Sequence, residues 1–172
     1  MKMIKRLTAL AVMSGAVFAA SPASAQVAVT GAKPQAKVTI RKPLVLEKKA
    51  ALDFGTVLLG SVTGSVNVSV NQAGARTCGT GLTCSGTATA GAYNVKGTNG
   101  QVVQITAPNV TMNNQTTTGN SIVVTLSAPG TVTLPNSGNT GIDFPVGGTF
   151  AVSSATVDGV YSGEMNVTVD YQ

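Results

Sequence analysis

The residue types that most often carry enzyme chemistry are nearly absent from this sequence. Its 172 residues contain no histidine, which is the commonest general base and a frequent metal ligand. Nucleophile pairs of the Ser–His and Cys–His kinds are therefore excluded. Paired carboxylates, as in glycosidases, are the remaining option, and the acidic residues after position 50 are Asp53, Asp143, Asp158, Glu164 and Asp170. We interpret each as a turn or strand-surface residue and expect no catalytic site.

Metal and cofactor sites are also not expected. Residues 136–143 are rich in Asn and Asp and offer oxygen atoms to calcium, but these are too few and too irregular in spacing for a calcium loop. No phosphate-binding or dinucleotide-binding glycine motif opens a helix. The sequence therefore predicts no cofactor and assigns no metal ligand, while calcium binding at residues 136–143 stays open.

The N-terminus has the pattern of a secretory signal peptide. Basic residues within positions 1–6 precede an apolar run at 7–20, and Ala23 and Ala25 form an A-x-A cleavage site before Gln26. The apolar run is shorter than the ~20 residues that a transmembrane helix needs. We expect a signal-peptide helix at 1–25, a flexible lead at 26–35, one domain at 36–172, and export to the periplasm, the outer surface or the medium.

The expected state of the two cysteines, Cys78 and Cys84, depends on the predicted export. In an oxidising compartment such a pair is usually a disulfide, and the glycine-containing segment between them can close a short loop. A metal site needs more ligands than this chain supplies, and a redox pair favours the spacing C-x-x-C. We predict a structural disulfide.

Charge is concentrated near the start of the predicted mature chain. After removal of residues 1–25, eight basic and six acidic residues remain, and most bases lie together: Lys33, Lys37, Arg41, Lys42, Lys48 and Lys49. One interpretation is an electrostatic arm for nucleic acid or anionic lipid. We favour the other, a solubilising segment that protects a strand edge, because export and the lack of interleaved aromatic residues argue against nucleic acid.

The mature chain has the composition and the period of β-strands. Val, Thr and Gly dominate, and apolar residues alternate at 36–46, 62–70 and 165–171. Pro43 lacks a ladder donor, so residues 36–46 are expected to form an edge strand or two short strands. Asn99-Gly100 predicts a hairpin between the strands near 93–95 and 102–105. About eight to ten short strands predict an all-β, immunoglobulin-like or pilin-like antiparallel β-sandwich.

The last strand has its own anchors. Val167, Val169 and Tyr171 lie on one face of an alternating strand that Met165 begins. We predict that Tyr161 and Tyr171 anchor this strand, with the ring of Tyr171 against the core and its hydroxyl near the sheet end.

Two resemblances extend this interpretation. The stretches at 36–44, 52–57, 144–150, 159–163 and 167–172 resemble a bacterial family named domain of unknown function 4402, which implies an exported β-sandwich. The alternating C-terminal strand with the penultimate Tyr171 is also similar to subunits of chaperone–usher pili, including the spore-coat-protein-U-like group. That second resemblance implies an N-terminal donor strand and a periplasmic chaperone as partner.

We therefore expect a non-enzymatic, exported structural or adhesive subunit of the cell surface that assembles by β-strand addition. Its partners would be copies of itself or other surface subunits, with no nucleic acid and no integral membrane segment after processing. The residues that would fill a neighbour's groove are Val38, Ile40, Leu44 and Leu46. The alternative is a self-contained secreted β-sandwich that binds a surface partner or ligand, in which the same strand completes its own sheet.

Overall fold

A computed structural model describes residues 30–136 and 140–172 of the chain. The predicted signal peptide and its cleavage residues, Ala23, Ala25 and Gln26, lie outside the described residues. Residues Thr39–Gln172 form one compact unit. In the described ranges there is no helix long and apolar enough to cross a membrane.

Every regular element in the described residues is a β-strand, and every strand pairing is antiparallel. The all-β antiparallel class is thereby confirmed. The thirteen strands are β1 (Val45–Ala50), β2 (Thr56–Leu59), β3 (Val66–Val70), β4 (Arg76–Cys78), β5 (Leu82–Ser85), β6 (Gly91–Lys96), β7 (Val102–Thr106), β8 (Val110–Asn114), β9 (Ser121–Ser127), β10 (Thr131–Thr133), β11 (Ile142–Val152), β12 (Tyr161–Ser162) and β13 (Thr168–Tyr171).

The strands form three sheets. An eight-stranded sheet runs in the order β1-β6-β11-β9-β8-β12, with β3 pairing to β11 and β4 to β3. A second sheet has the order β10-β7-β13, and a third is the two-stranded ribbon β2-β5. Several strands have only two to four residues, so their number exceeds the eight to ten predicted from longer alternating segments.

The eleven-residue strand β11 organises the large sheet. Its first half pairs with β6, and its second half lies between β3 and β9. The change of partner falls at Gly147 and Gly148. A Cβ atom at Gly147 would lie 2.5 Å from the carbonyl oxygen of Val70, so only glycine permits this close approach of the strands.

The two halves of β11 contribute to two different hydrophobic clusters. Phe144 and Val146, in the first half of β11, belong to a cluster with Tyr93 and Val103. Phe150, in the second half, belongs to another cluster, where its ring meets that of Phe54 edge-on at 4.8 Å between centroids. Such edge-to-face pairs add to the burial of apolar area. Leu126 and Met165 contact both clusters and join them.

Two predictions of local structure are wrong. Residues 36–46 form neither one edge strand nor two short strands, because β1 begins only at Val45. The amide of Lys42 donates to the hydroxyl of Thr98 instead of a ladder carbonyl. The turn at Asn99-Gly100 exists, with Gly100 at φ 69°, but β6 and β7 do not pair with each other. The turn connects two sheets and is not a hairpin.

Candidate functional site

Residues 30–40, here called the N-terminal arm, contain large apolar side chains that are mostly exposed. No residue of the arm is in a strand, and all of its residues are exposed. Val38 is 80% exposed and Ile40 is 85% exposed. Large apolar side chains at alternate positions of an unpaired segment are a surface that can be buried by another strand.

The arm ends where Tyr171 holds the chain. The Tyr171 hydroxyl donates to the Lys42 carbonyl and accepts from the Thr98 amide, each at 2.7 Å. The Arg41 guanidinium lies 5.1 Å from the centroid of the Tyr171 ring and donates to the carbonyl oxygen of Gln172 at 3.3 Å. We call these contacts the Tyr171 clamp.

The clamp divides the predicted strand-addition face into two parts. After the clamp, Leu44 and Leu46 pack against the cluster around Phe144, and Leu46 lies opposite Val95 in the β1–β6 ladder. Before it, Val38 and Ile40 remain exposed. Leu44 and Leu46 thus contribute to their own domain, and of the predicted strand-addition face only Val38 and Ile40 remain largely exposed.

The remaining predicted C-terminal anchors lie in two places. Val167 is buried in the Phe144 cluster, and Val169 of β13 packs on it together with Tyr171. Tyr161 lies instead in β12, which pairs with β8 and not with the last strand. Its hydroxyl donates to the carbonyl of Val157 at 2.6 Å, so it holds a local loop.

The ribbon β2-β5 leaves one strand edge open. β2 pairs with β5 alone. Hydrogen bonding alternates along an antiparallel strand, and Gly60, in register with Gly81, donates toward β5. The backbone groups of Val57 and Leu59 therefore face the other edge, where the described residues provide no ladder partner.

Two ties hold this ribbon to the large sheet. The predicted disulfide between Cys78 and Cys84 is confirmed, and it joins β4 of the large sheet to β5 of the ribbon. The Arg76 guanidinium donates to the carbonyl oxygens of Phe54 and Ser85, each at 2.8 Å. The position of the open edge thus depends on a covalent link that spans two sheets.

A cavity of about 580 Å³ lies beside the open edge, and we call it the β2 groove. Apolar side chains line most of it, from β2, β8, β9 and β11 and from the segment before β2: Phe54, Val57, Leu59, Met112, Ile122, Phe150 and Val152. Leu58 and Val160 also line it and are 65% and 66% exposed. Its lining includes the carboxylates of Asp53 and Asp158 and no Lys or Arg.

Asn114 fixes the far wall of the groove. It is 5% exposed; its Oδ1 accepts from the amides of Thr116 and Thr117, each at 2.8 Å, and its Nδ2 donates to the carbonyl oxygen of Asp158 at 2.9 Å. The Asp158 carboxylate itself has no hydrogen-bond partner among the described residues. It is an exposed negative charge on a loop whose backbone Asn114 holds.

A smaller cavity of about 360 Å³ lies between the two hydrophobic clusters, with Lys48 and Glu164 in its lining. Tyr93 also lines it, and burial raises the pKa of the Tyr93 hydroxyl above its ordinary value of 10.0. No group of three or more metal-ligating side chains occurs within the described ranges.

Sequence reasoning missed the open edge of β2 and the role of Asn114. The Leu52-Asp53-Phe54-Gly55 stretch marks the entry to β2, where Asp53 accepts from the Gly55 amide at 2.8 Å. That local pattern does not predict which edge of the β2 strand stays unpaired. The signal for Asn114 was its place in a turn-forming Asn113-Asn114 pair.

These features define an all-β antiparallel domain with one disulfide between sheets and an unpaired N-terminal arm. The chain belongs to the family described as domain of unknown function (DUF4402), whose profile matches residues 44–171. No curated protein matches the chain, and no solved structure matches it.

Proposed function

We propose that this protein is a non-enzymatic, exported structural subunit of the cell surface that assembles with copies of itself by β-strand addition. The observation that carries the proposal is the arm. It combines strand-period alternation with exposure of 80% at Val38 and 85% at Ile40, and it is followed by a clamp that fixes the point where it leaves the domain. An extended segment of this kind gains main-chain hydrogen bonds and side-chain burial together when it adds to a sheet edge.

A pilin-like β-sandwich is part of the proposal. Val57 and Cys84 of the ribbon pack in the same cluster as Val68 and Phe150 of the large sheet, as two facing layers would. The signal-peptide pattern, with cleavage before Gln26, supports export. An oxidising destination is consistent with the disulfide between Cys78 and Cys84.

The test uses the processed chain purified from the periplasm of an expressing bacterium. Light scattering after size exclusion, over a range of concentrations, should show oligomers that grow with concentration. Val38→Asp combined with Ile40→Asp should raise the concentration needed for assembly at least tenfold, because each Asp would place a charge in a buried face. Both side chains are exposed in the single chain, so folding should not change.

Thr39→Asp is the matched control, because Thr39 alternates with Val38 and Ile40 and belongs to the opposite face. Its one added charge stays exposed to solvent and should raise the concentration needed for assembly at most about fivefold, well below the effect of the double variant. A chain that stays monomeric at every concentration, or an Asp double variant that assembles normally, would overturn the proposal.

A second candidate function is a secreted binding module with a small ligand. The observation that favours it is the 360 Å³ cavity, which places Lys48 and Glu164 beside apolar side chains of both clusters. Small-ligand sites combine apolar walls with a few polar groups in this way. A ligand screen by thermal shift tests it, with Glu164→Gln and Lys48→Met expected to abolish any shift; a shift that survives both changes would reject this cavity.

A further inference from the structure

We propose that the β2 groove binds residues 36–40 of the arm of a second copy of this chain. This inference rests on the proposed function, since it names the surface that receives the arm. Three independent features of the groove match the arm: an open backbone edge, an apolar lining and the sign of its charge.

The backbone match concerns length and hydrogen bonding. β2 has four residues, Thr56–Leu59, and spans about 13 Å at ~3.3 Å per residue. The five residues 36–40, when extended, cover a similar length. Their amides and carbonyls are without strand partners, and they would pair with the open-edge groups of Val57 and Leu59, extending the ribbon β2-β5 to three strands.

The side-chain match concerns the faces of the two strands. In an added strand, Ala36, Val38 and Ile40 lie on one face. Val57 and Leu59 are half-buried and pack on the Phe150 cluster, so the same face of the added strand is directed into the groove. Val38 and Ile40 would then cover apolar surface that includes the exposed side chain of Val160.

The charge match selects the arm over an arbitrary apolar peptide. The arm carries Lys33 and Lys37 and no acidic residue. The groove has Asp53 and Asp158 in its lining and no basic residue. A basic strand is therefore attracted to this edge and an acidic one is repelled, which gives specificity and faster association more than affinity.

Site-specific cross-linking tests the assignment. The chain has no free cysteine, so one cysteine can be placed alone. Chains with Ile40→Cys are mixed with chains carrying Val160→Cys under mild oxidation, and a disulfide-linked dimer of the two is expected. Val123→Cys is the control, because Val123 is 54% exposed on β9 and is absent from the groove lining; its cross-linking to Ile40→Cys should be at least tenfold lower.

A charge variant adds a second readout. Asp158→Lys should weaken association about fivefold at low salt, the effect of one exposed charge pair, and the loss should fade as salt is added. Chains whose arm combines Lys33→Glu and Lys37→Glu should bind Asp158→Lys chains with the affinity that the unaltered pair has, because the charge signs are complementary again. Equal affinity of all combinations would contradict the charge argument and the assignment with it.

The outcomes separate this inference from the proposed function. If the arm variants abolish assembly but Val160→Cys cross-links no better than Val123→Cys, the subunit function stands and the groove assignment is overturned. If Ile40→Cys and Val160→Cys link efficiently only when both are in one chain, the arm occupies its own groove and the second copy is excluded. If neither variant set affects an oligomer, both proposals fall.

Discussion

The Tyr171 clamp gives the sharpest quantitative prediction, because one hydroxyl group holds two parts of the chain. Tyr171→Phe removes that hydroxyl and leaves the ring. The bond from the Thr98 amide is partly buried, and a net contribution of about 1 kcal/mol is typical of such a bond. The bond to the Lys42 carbonyl is solvent-exposed, so water replaces most of it and about 0.5 kcal/mol is lost. We expect destabilisation of about 1.5 kcal/mol.

Urea unfolding measures the global effect, and trypsin measures the local one. Cleavage after Arg41 requires the guanidinium to leave the Tyr171 ring and the Gln172 carbonyl. If the clamp opens and closes rapidly, 1.5 kcal/mol raises its open population and the cleavage rate about tenfold. Cleavage after Lys37, in the exposed arm, is an internal reference that should not change.

Tyr161→Phe is the matched control for this prediction. It also removes one hydroxyl–carbonyl bond, to Val157 at 2.6 Å, and should destabilise by about 1 kcal/mol. It should not change the ratio of cleavage after Arg41 to cleavage after Lys37. A Tyr171→Phe variant with an unchanged ratio and a loss below about 0.3 kcal/mol would refute the clamp, since surface changes fall in that range.

Three further predictions concern the sheets and the core. Cys78→Ala with Cys84→Ala should lower the free energy of unfolding in urea by about 2 kcal/mol, from the short loop between them; an unchanged midpoint would contradict it. Gly147→Ala should lower the same quantity by about 1–3 kcal/mol through its clash with the Val70 carbonyl, whereas Gly130→Ala, with open space at its Cβ position, should be near neutral. Burial favours the neutral form of the Tyr93 hydroxyl and raises its pKa. The contribution of this neutral hydroxyl to folding stability is therefore present below pH ~10 and is lost as pH rises through the raised pKa. Tyr93→Phe cannot ionise and should therefore lose less melting temperature than the unaltered chain between pH 9 and 11.

The sequence predicted the features that depend on local chemistry. Strand character followed from β-branched residues and alternation, and the disulfide from two cysteines in a chain with a predicted export signal. The predicted alternation is also present at the end of residues 36–46, although most of that segment is not a strand. Leu44 and Leu46 contact the core, and Val45 between them is 46% exposed. A period of two fixes which side chains share a face wherever the chain is extended.

Pairing and termination of strands could not be predicted, because they depend on distant residues. Asn99-Gly100 is a strong hairpin signal, yet β7 pairs with β10 and β13. Thr98, next to the turn, instead forms hydrogen bonds with Tyr171 and Lys42, which come from opposite ends of the domain. Similarly, alternation in residues 36–46 carries no information on the clamp that interrupts it at Lys42.

The candidate site was the least predictable part, since its walls are far apart in sequence. The β2 groove combines β2 with a loop near Asp158, about a hundred residues later in the chain. That loop depends on Asn114, which belongs to a third region. What local sequence did reveal was the donor segment of the proposed assembly, because an alternating apolar segment with lysines is visible without any knowledge of tertiary contacts.

The clamp and the groove are separable parts of one proposed assembly. Tyr171 packs on the cluster around Phe144, whereas the groove is lined by Phe54 and Phe150 of the other cluster. Loosening the clamp should therefore change where the arm leaves its domain and leave the receiving surface intact. Removing the disulfide should do the reverse, since Cys84 lies in the strand that carries β2. Mixing clamp variants with disulfide variants then shows which surface causes an assembly defect. A defect of the arm should follow the chain with the altered Tyr171. A defect of the β2 groove should follow the chain without the Cys78–Cys84 link.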